Sequence, residues 1–229
     1  MWCNMESKND NIMLTLGIVI LLVALMGTAV FEGEQPADNE ILWDVTFAEK
    51  SAQIEMVQDF TGEGQTTDVM IDIAQQTNIT NLSFELRWTD DDTSGASGNG
   101  NGVVNQPDHF ILTVQDPEGG APITMEGENE IGQDGTILIV FDFPVEGLTF
   151  DMNGTTATGG SAEAVSEKLT VMNGMGNWSV TVECTEAGDA EDSLFGTTVE
   201  QDDGNAWTLD VRAIYYEATI KLHENVIGG

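Results

Sequence analysis

Hydrophobic and polar positions divide this chain into two textures. From Ile12 to Phe31 no side chain is charged, and Leu, Ile, Val, Ala and Met dominate. A bilayer's hydrocarbon core takes about 20 apolar residues in a helix, and this run has that length. It predicts a single N-terminal transmembrane helix. A cleaved signal peptide and a buried core helix are the competing readings. The small residues Gly27-Thr28-Ala29 would suit a cleavage site, but they lie inside the apolar run. The positive-inside bias is faint, with Lys8 set against Glu6 and Asp10. The expected topology keeps the N-terminus inside and everything after Phe31 outside.

Beyond an acidic tether, EGEQPADNE, the pattern becomes alternation with a period of two, the mark of half-buried strands. Strands are predicted at 41–48, 52–60, 66–74, 78–88, 109–116, 136–143, 167–172, 177–184 and 206–220. The stretch AEAVSEKL reads either as one helical turn or as the start of a strand. Gly, Asp and Asn occupy the breaks, as turn chemistry requires. Residues 89–108 form a long Gly-rich loop, of a length that is usually functional or disordered in compact domains. The expected fold is all-β, an antiparallel β-sandwich or jelly roll preceded by the membrane helix. The divisions are a cytoplasmic segment (1–11), the helix (12–31), an acidic linker (32–40), an extracellular β-sandwich (41–222) and a tail (223–229).

Charge narrows the partners. The chain carries 40 Asp and Glu against 6 Lys and Arg, a formal net charge of -34. Nucleic acid is disfavoured, because little could displace its counterions. Anionic lipid headgroups would be repelled. Saline surroundings, divalent cations and cationic partners all suit such a surface. The only cysteines, Cys3 and Cys184, fall on opposite sides of the apolar run and cannot pair in this topology. Cys184 reads as a small apolar core residue or, alternatively, as a reactive thiol.

Several stretches together resemble a P-domain-type jelly roll. LSFELRWTDDD leads into FILTVQDPEGG with the turn Asp116-Pro117-Glu118-Gly119. GNWSVTVECTEAGD supplies Gly176, Trp178, Val180, Val182, Gly188 and Asp189. WTLDVRAIYY supplies Trp207 and Leu209 in the position of the family's closing strand. The resemblance spans residues 78–216. The spacings are longer here, the 89–108 loop is enlarged, and Cys184 stands near an acidic position of the family. The resemblance implies a galactose-binding-like or jelly-roll architecture with an accessory, non-catalytic role. In style, an anchored, acidic, single-cysteine β domain is also similar to archaeal cell-surface proteins.

No catalytic constellation emerges. His109 and His223 lack the spacing of a zinc site, no Gly-x-Ser-x-Gly elbow occurs, and GNGNG is not followed by Gly-Lys-Ser/Thr. Calcium is the one metal expectation, since it takes six to eight hard oxygens. Asp90, Asp91, Asp92, Asp108 and Asp116 form one candidate edge. Asp189 and Asp192, with Glu191 and the Asp202-Asp203 pair, form another. The competing reading is a solvated charge run. Four glycosylation sequons start at Asn78, Asn81, Asn153 and Asn177, Asn153 being the best placed. Trp88, Trp178 and Trp207 are expected in the core rather than as ligand platforms.

The expected function is therefore non-enzymatic. The first reading is a membrane-anchored cell-surface β-sandwich, held in the bilayer by residues 12–31, that binds an extracellular protein or glycan, with Ca²⁺ assisting. Two other readings are a pilin-like filament subunit and an accessory single-pass subunit of a membrane complex.

Overall fold

The computed structural model describes residues 41–89, 103–130, 133–143, 155–188, 190–192, 197–200 and 202–224. The expected helix at 12–31 and its acidic linker lie outside the described residues. Among those described, no helix is long and apolar enough to cross a membrane.

The described chain is almost entirely strand. In order, these are β1 (Ile41–Gly62), β2 (Gln65–Ile73), β3 (Ile79–Trp88), β4 (Val103–Asn105), β5 (Asp108–Gln115), β6 (Ile123–Glu128), β7 (Gly135–Asp142) and β8 (Thr155–Gly159). After the short helix α1 (Ala162–Lys168) come β9 (Gly176–Ala187), β10 (Ala190–Asp192), β11 (Thr197–Glu200) and β12 (Gly204–Leu222). Sheet A runs β7-β3-β12-β1-β8, and sheet B runs β2-β9-β5-β6. All their pairings are antiparallel. The first and last strands lie side by side, and the chain crosses between the two sheets at β1–β2, β2–β3, β3–β5, β6–β7, β8–β9 and β9–β12. The eight long strands follow a jelly-roll order, with β8 and α1 appended and β4, β10 and β11 forming a small third sheet.

The alternation explains the packing. In β5 every second residue is buried, so Phe110, Leu112 and Val114 face sheet A. Opposite them stand Phe84, Leu86, Trp88, Leu209 and Val211. Aromatic contacts join the sheets: Trp88 lies 4.8 Å from Phe110 and Phe84 lies 5.3 Å from Trp178, between ring centroids. Each such buried side chain contributes on the order of 1.5–3 kcal/mol over leaving it in water. Trp88, Trp178 and Trp207 are all core residues.

Four sequence expectations change. The strands expected at 41–48 and 52–60 are one strand of 22 residues, paired with β12 from Trp43 to Gly62 and bulged between Gln53 and Glu55. The intervening Glu49-Lys50-Ser51 contains no residue that breaks a strand. The strand expected at 167–172 is replaced by the end of α1 and a turn. Ser161 caps the helix, its Oγ accepting from the Ala164 N–H at 3.2 Å. β4, which falls inside the expected 89–108 loop, and β6, β8, β10 and β11 were not foreseen. Asn78 does not begin β3 but sits at φ 57, in the left-handed region that asparagine tolerates.

The molecule has two ends. At one, Ile41 pairs with Gly159 of β8, the Trp43 Nε1–H donates to the Gly159 carbonyl at 3.0 Å, and Val45 and Val165 are fully buried. Leu222 pairs with Trp43, so the start of β1 and the end of β12 share this end. At the other end, Gly62 pairs with Gly204, near Trp88 and Gly135. Between Ile41 and Gln58 the strand rise gives roughly 55 Å if the strand is straight.

Candidate binding face

A shallow groove of about 770 Å³ crosses the solvent side of sheet A at the end remote from Ile41. Its floor is built by register. Thr136 of β7, Arg87 of β3, Thr208 of β12 and Gln58 of β1 are successive cross-strand partners and form one row. Glu85, Asp210 and Met56 form the next row. Neighbouring positions on one face of a strand are two residues apart, so Phe60 stands beside Gln58 on the same side of β1. Met56 and Phe60 are large apolar side chains left about half exposed.

Charge on this face is paired along the strands. The Arg87 guanidinium grips Glu85 with two hydrogen bonds, 3.0 and 2.5 Å. The Arg212 Nε–H donates to Asp210 Oδ2 at 2.8 Å. Both are acid-x-Arg pairs at the two-residue spacing of one strand face. The chain's two arginines therefore stand on adjacent strands of one sheet face, although the protein has only 6 cationic residues. Neither pair belongs to a motif that the sequence marks as a site. Their signal was legible as Glu85-x-Arg87 and Asp210-x-Arg212 inside two predicted strands.

The two pairs differ in setting. Arg87 and Glu85 are partly in water, where such a pair contributes little. Asp210 is 2 % exposed, although alternation puts it on the outer face. Its Oδ1 has no hydrogen-bond partner among the described residues.

The structure separates the calcium candidates that it describes. Asp108 and Asp116 flank β5 at opposite ends, about 27 Å apart by strand rise, and do not share one edge. Asp108 is buried and clamped to Asn129: its N–H donates to Asn129 Oδ1 at 2.6 Å, and Asn129 Nδ2–H donates back to Asp108 Oδ2 at 3.0 Å. Asp116 builds the Asp-Pro-Glu-Gly turn: its carbonyl accepts from Gly119 N–H and its Oδ1 from Gly120 N–H. Gly119, at φ 78, supplies the left-handed backbone that closes the turn. Asp192 lies in β10, where its backbone pairs with Val103 and Thr197. Asp90, Asp91, Asp92 and Asp189 lie outside the described residues. Among those described, no three His, Cys, Asp or Glu are grouped as metal ligands.

The sequons divide as well. Asn78 is nearly buried: its amide N–H donates to the Tyr216 carbonyl and its Oδ1 accepts from Val171 N–H, so it staples β12 to the turn after α1 and does not fit a glycan acceptor. The Asn81 Nδ2–H donates to Asp142 on the outer face of sheet A. Asn177 is exposed on β9, and Asn153 lies outside the described residues. The histidines are at opposite ends. His109 pairs with Thr185 beside the clamped Asp108, and His223 contacts Asp44 near the start of β1. Cys184 is fully buried. Burial, then the nearby carboxylates of Asp108, Asp202 and Glu63, push its thiol up to about 12. It packs as a core residue and stays protonated.

No family model matches the chain, and no curated protein matches it. The solved structures that are similar at low level include two of different kinds. One is TmCBM61 in complex with β-1,4-galactotriose, at 12% identity and TM-score 0.27, covering 76% of this chain and 88% of that one. The other is the semi-empty virus-like particle of the giant freshwater prawn Macrobrachium rosenbergii nodavirus, at 8% identity and TM-score 0.25, covering 79% of this chain and 97% of that one. At TM-scores this low, neither likeness says anything about what this chain binds.

Proposed function

We propose that this protein is a non-catalytic binding domain, held at a membrane by residues 12–31 and presenting the groove of sheet A outward. The observation that carries the reading is the relation between β1 and the groove. β1 begins directly after the acidic linker, and the groove opens near its far end. A linker that leaves the bilayer after Phe31 and joins the domain at Ile41 would hold the groove roughly 50 Å along the strand from its attachment. Two features of the chain support the anchor: the uncharged run has bilayer length, and the acidic surface beyond it favours water over anionic headgroups. The groove supports binding over chemistry. It offers a row of hydrogen-bonding side chains and the exposed Met56, and its one lining cation, Arg87, is held in an ion pair with Glu85.

Membrane fractionation tests the anchor. The full chain should remain in the membrane pellet after alkaline carbonate washing and dissolve only in detergent. Deleting residues 12–31 should release it. Recovery of the intact full chain in the aqueous wash would refute the reading.

A further inference from the structure

We propose that the groove of sheet A receives a lysine or arginine side chain presented by a protein partner, and that Asp210 is the acceptor that recognises it. The inference deepens the binding reading above and does not depend on the anchor.

The first ground is the state of Asp210. A carboxylate oxygen shut away from water without a hydrogen bond is costly. Arg212 satisfies Oδ2, and Oδ1 is left without a partner among the described residues. Asp210's cross-strand neighbours Met56 and Glu85, and Thr208 two residues before it, all line the groove. The side chains flanking Asp210 are movable. Met56 is 47% exposed and the Arg212 side chain 53%. Methionine has three rotatable bonds, so Met56, directly across from Asp210, can turn toward solvent as a group in the groove approaches Oδ1.

The second ground is sign. Glu85, Asp59 and Asp134 line the groove against a single lining cation, Arg87, which Glu85 already neutralises. A chain of net charge -34 draws a cation toward such a site and repels an anion. The third ground is shape. Met56, directly across from Asp210, and Phe60, two positions beyond Gln58 on the same face of β1, give apolar surface along the way to Asp210, which suits the methylene stem of a long cationic side chain whose head reaches a carboxylate. A bare metal ion would make no use of that apolar surface.

The test uses the full chain in zwitterionic detergent at physiological ionic strength, with an end-blocked hexa-arginine peptide as the probe. Asp210→Asn should weaken binding about tenfold or more, as loss of a buried charge partner does. Asp68→Asn removes the same charge from the exposed face of sheet B and should weaken it less than about twofold, the loss expected of a solvent-screened charge. Thr208→Trp, a half-exposed position, should block the groove with Asp210 intact. It decides the matter if Asp210→Asn does not fold. Equal losses for Asp210→Asn and Asp68→Asn would mean diffuse attraction and overturn the proposal. So would no measurable binding by the unaltered chain, undiminished binding by a folded Thr208→Trp variant, or displacement of the peptide by a neutral oligosaccharide. Any of these results, with the chain still retained in membranes, would leave the anchor standing.

Discussion

A carboxylate on the solvent side of a sheet is ordinarily wet, and Asp210 is not. Arg212 provides its hydrogen bond, so Arg212→Ala leaves a buried charge uncompensated. A loss of about 2 kcal/mol is expected in denaturant unfolding, and Asp210→Asn in the same chain should restore part of it. Gly135 is a second sensitive position. A Cβ there would overlap the Trp88 indole, which is packed against Phe110. Gly135→Ala should cost about 2–3 kcal/mol, because the buried ring has nowhere to shift. Cys184 makes a pH prediction. Its folded thiol lies at about 12 against an ordinary 9.0, so the folded state disfavours the thiolate. Its contribution is whole below about pH 9 and disappears as pH rises toward 12, at up to about 1.4 kcal/mol per pH unit. The stability gap between the natural chain and Cys184→Ala, measured by urea unfolding, should narrow from pH 8 to pH 10.5. A constant gap would contradict the burial argument. Alternation in the sequence assigned the three buried tryptophans correctly. It also put Asp210 on the wet face, because periodicity gives direction and says nothing of what neighbouring side chains cover.

Among the elements, β1 and α1 were the hardest to read. At Glu49-Lys50-Ser51, β1 and β12 reach the end of the paired part of β3 and continue past it as a ribbon, and both faces are partly exposed. With no buried face, the period-two signal fades, and polar residues look like a break. α1 spans only seven residues, too few for helical periodicity to stand out. Its start was nonetheless written in Ser161. Ser161→Ala should cost about 1 kcal/mol through the lost cap. The loss should appear as faster hydrogen exchange in α1 and β8, with β3 and β9 unchanged. Equal acceleration across both sheets would mean that this end of the molecule is not a separable unit. The central strands β3, β5, β7, β9 and β12 were legible because both sheets bury their alternating residues. β6 was not, since its inward Ile123 and Met125 remain exposed and its bounds are rich in Gly and Pro.

At the scale of the molecule, the sheet order arises from pairings that no local pattern encodes. β1 meets β12 across almost the whole described chain, and β3 is enclosed between β7 and β12. The same limit applies to the binding face. Its charged pairs are visible as two short motifs, but only the register of the strands sets them side by side on one sheet face. It is also why Asp108 and Asp116, close in sequence, belong to opposite ends. In the proposed arrangement, an oily N-terminal segment holds an acidic sandwich outside a membrane with its groove accessible from the exterior. A single reactive thiol at the groove tests it most directly. Thr136→Cys places one there, Cys3→Ser removes the chain's only other thiol besides Cys184, and Cys184 is buried. A membrane-impermeant maleimide applied to intact cells should label this chain as fully as it does after lysis. Labelling only after lysis, with Thr136→Cys reactive in the lysate, would contradict the account.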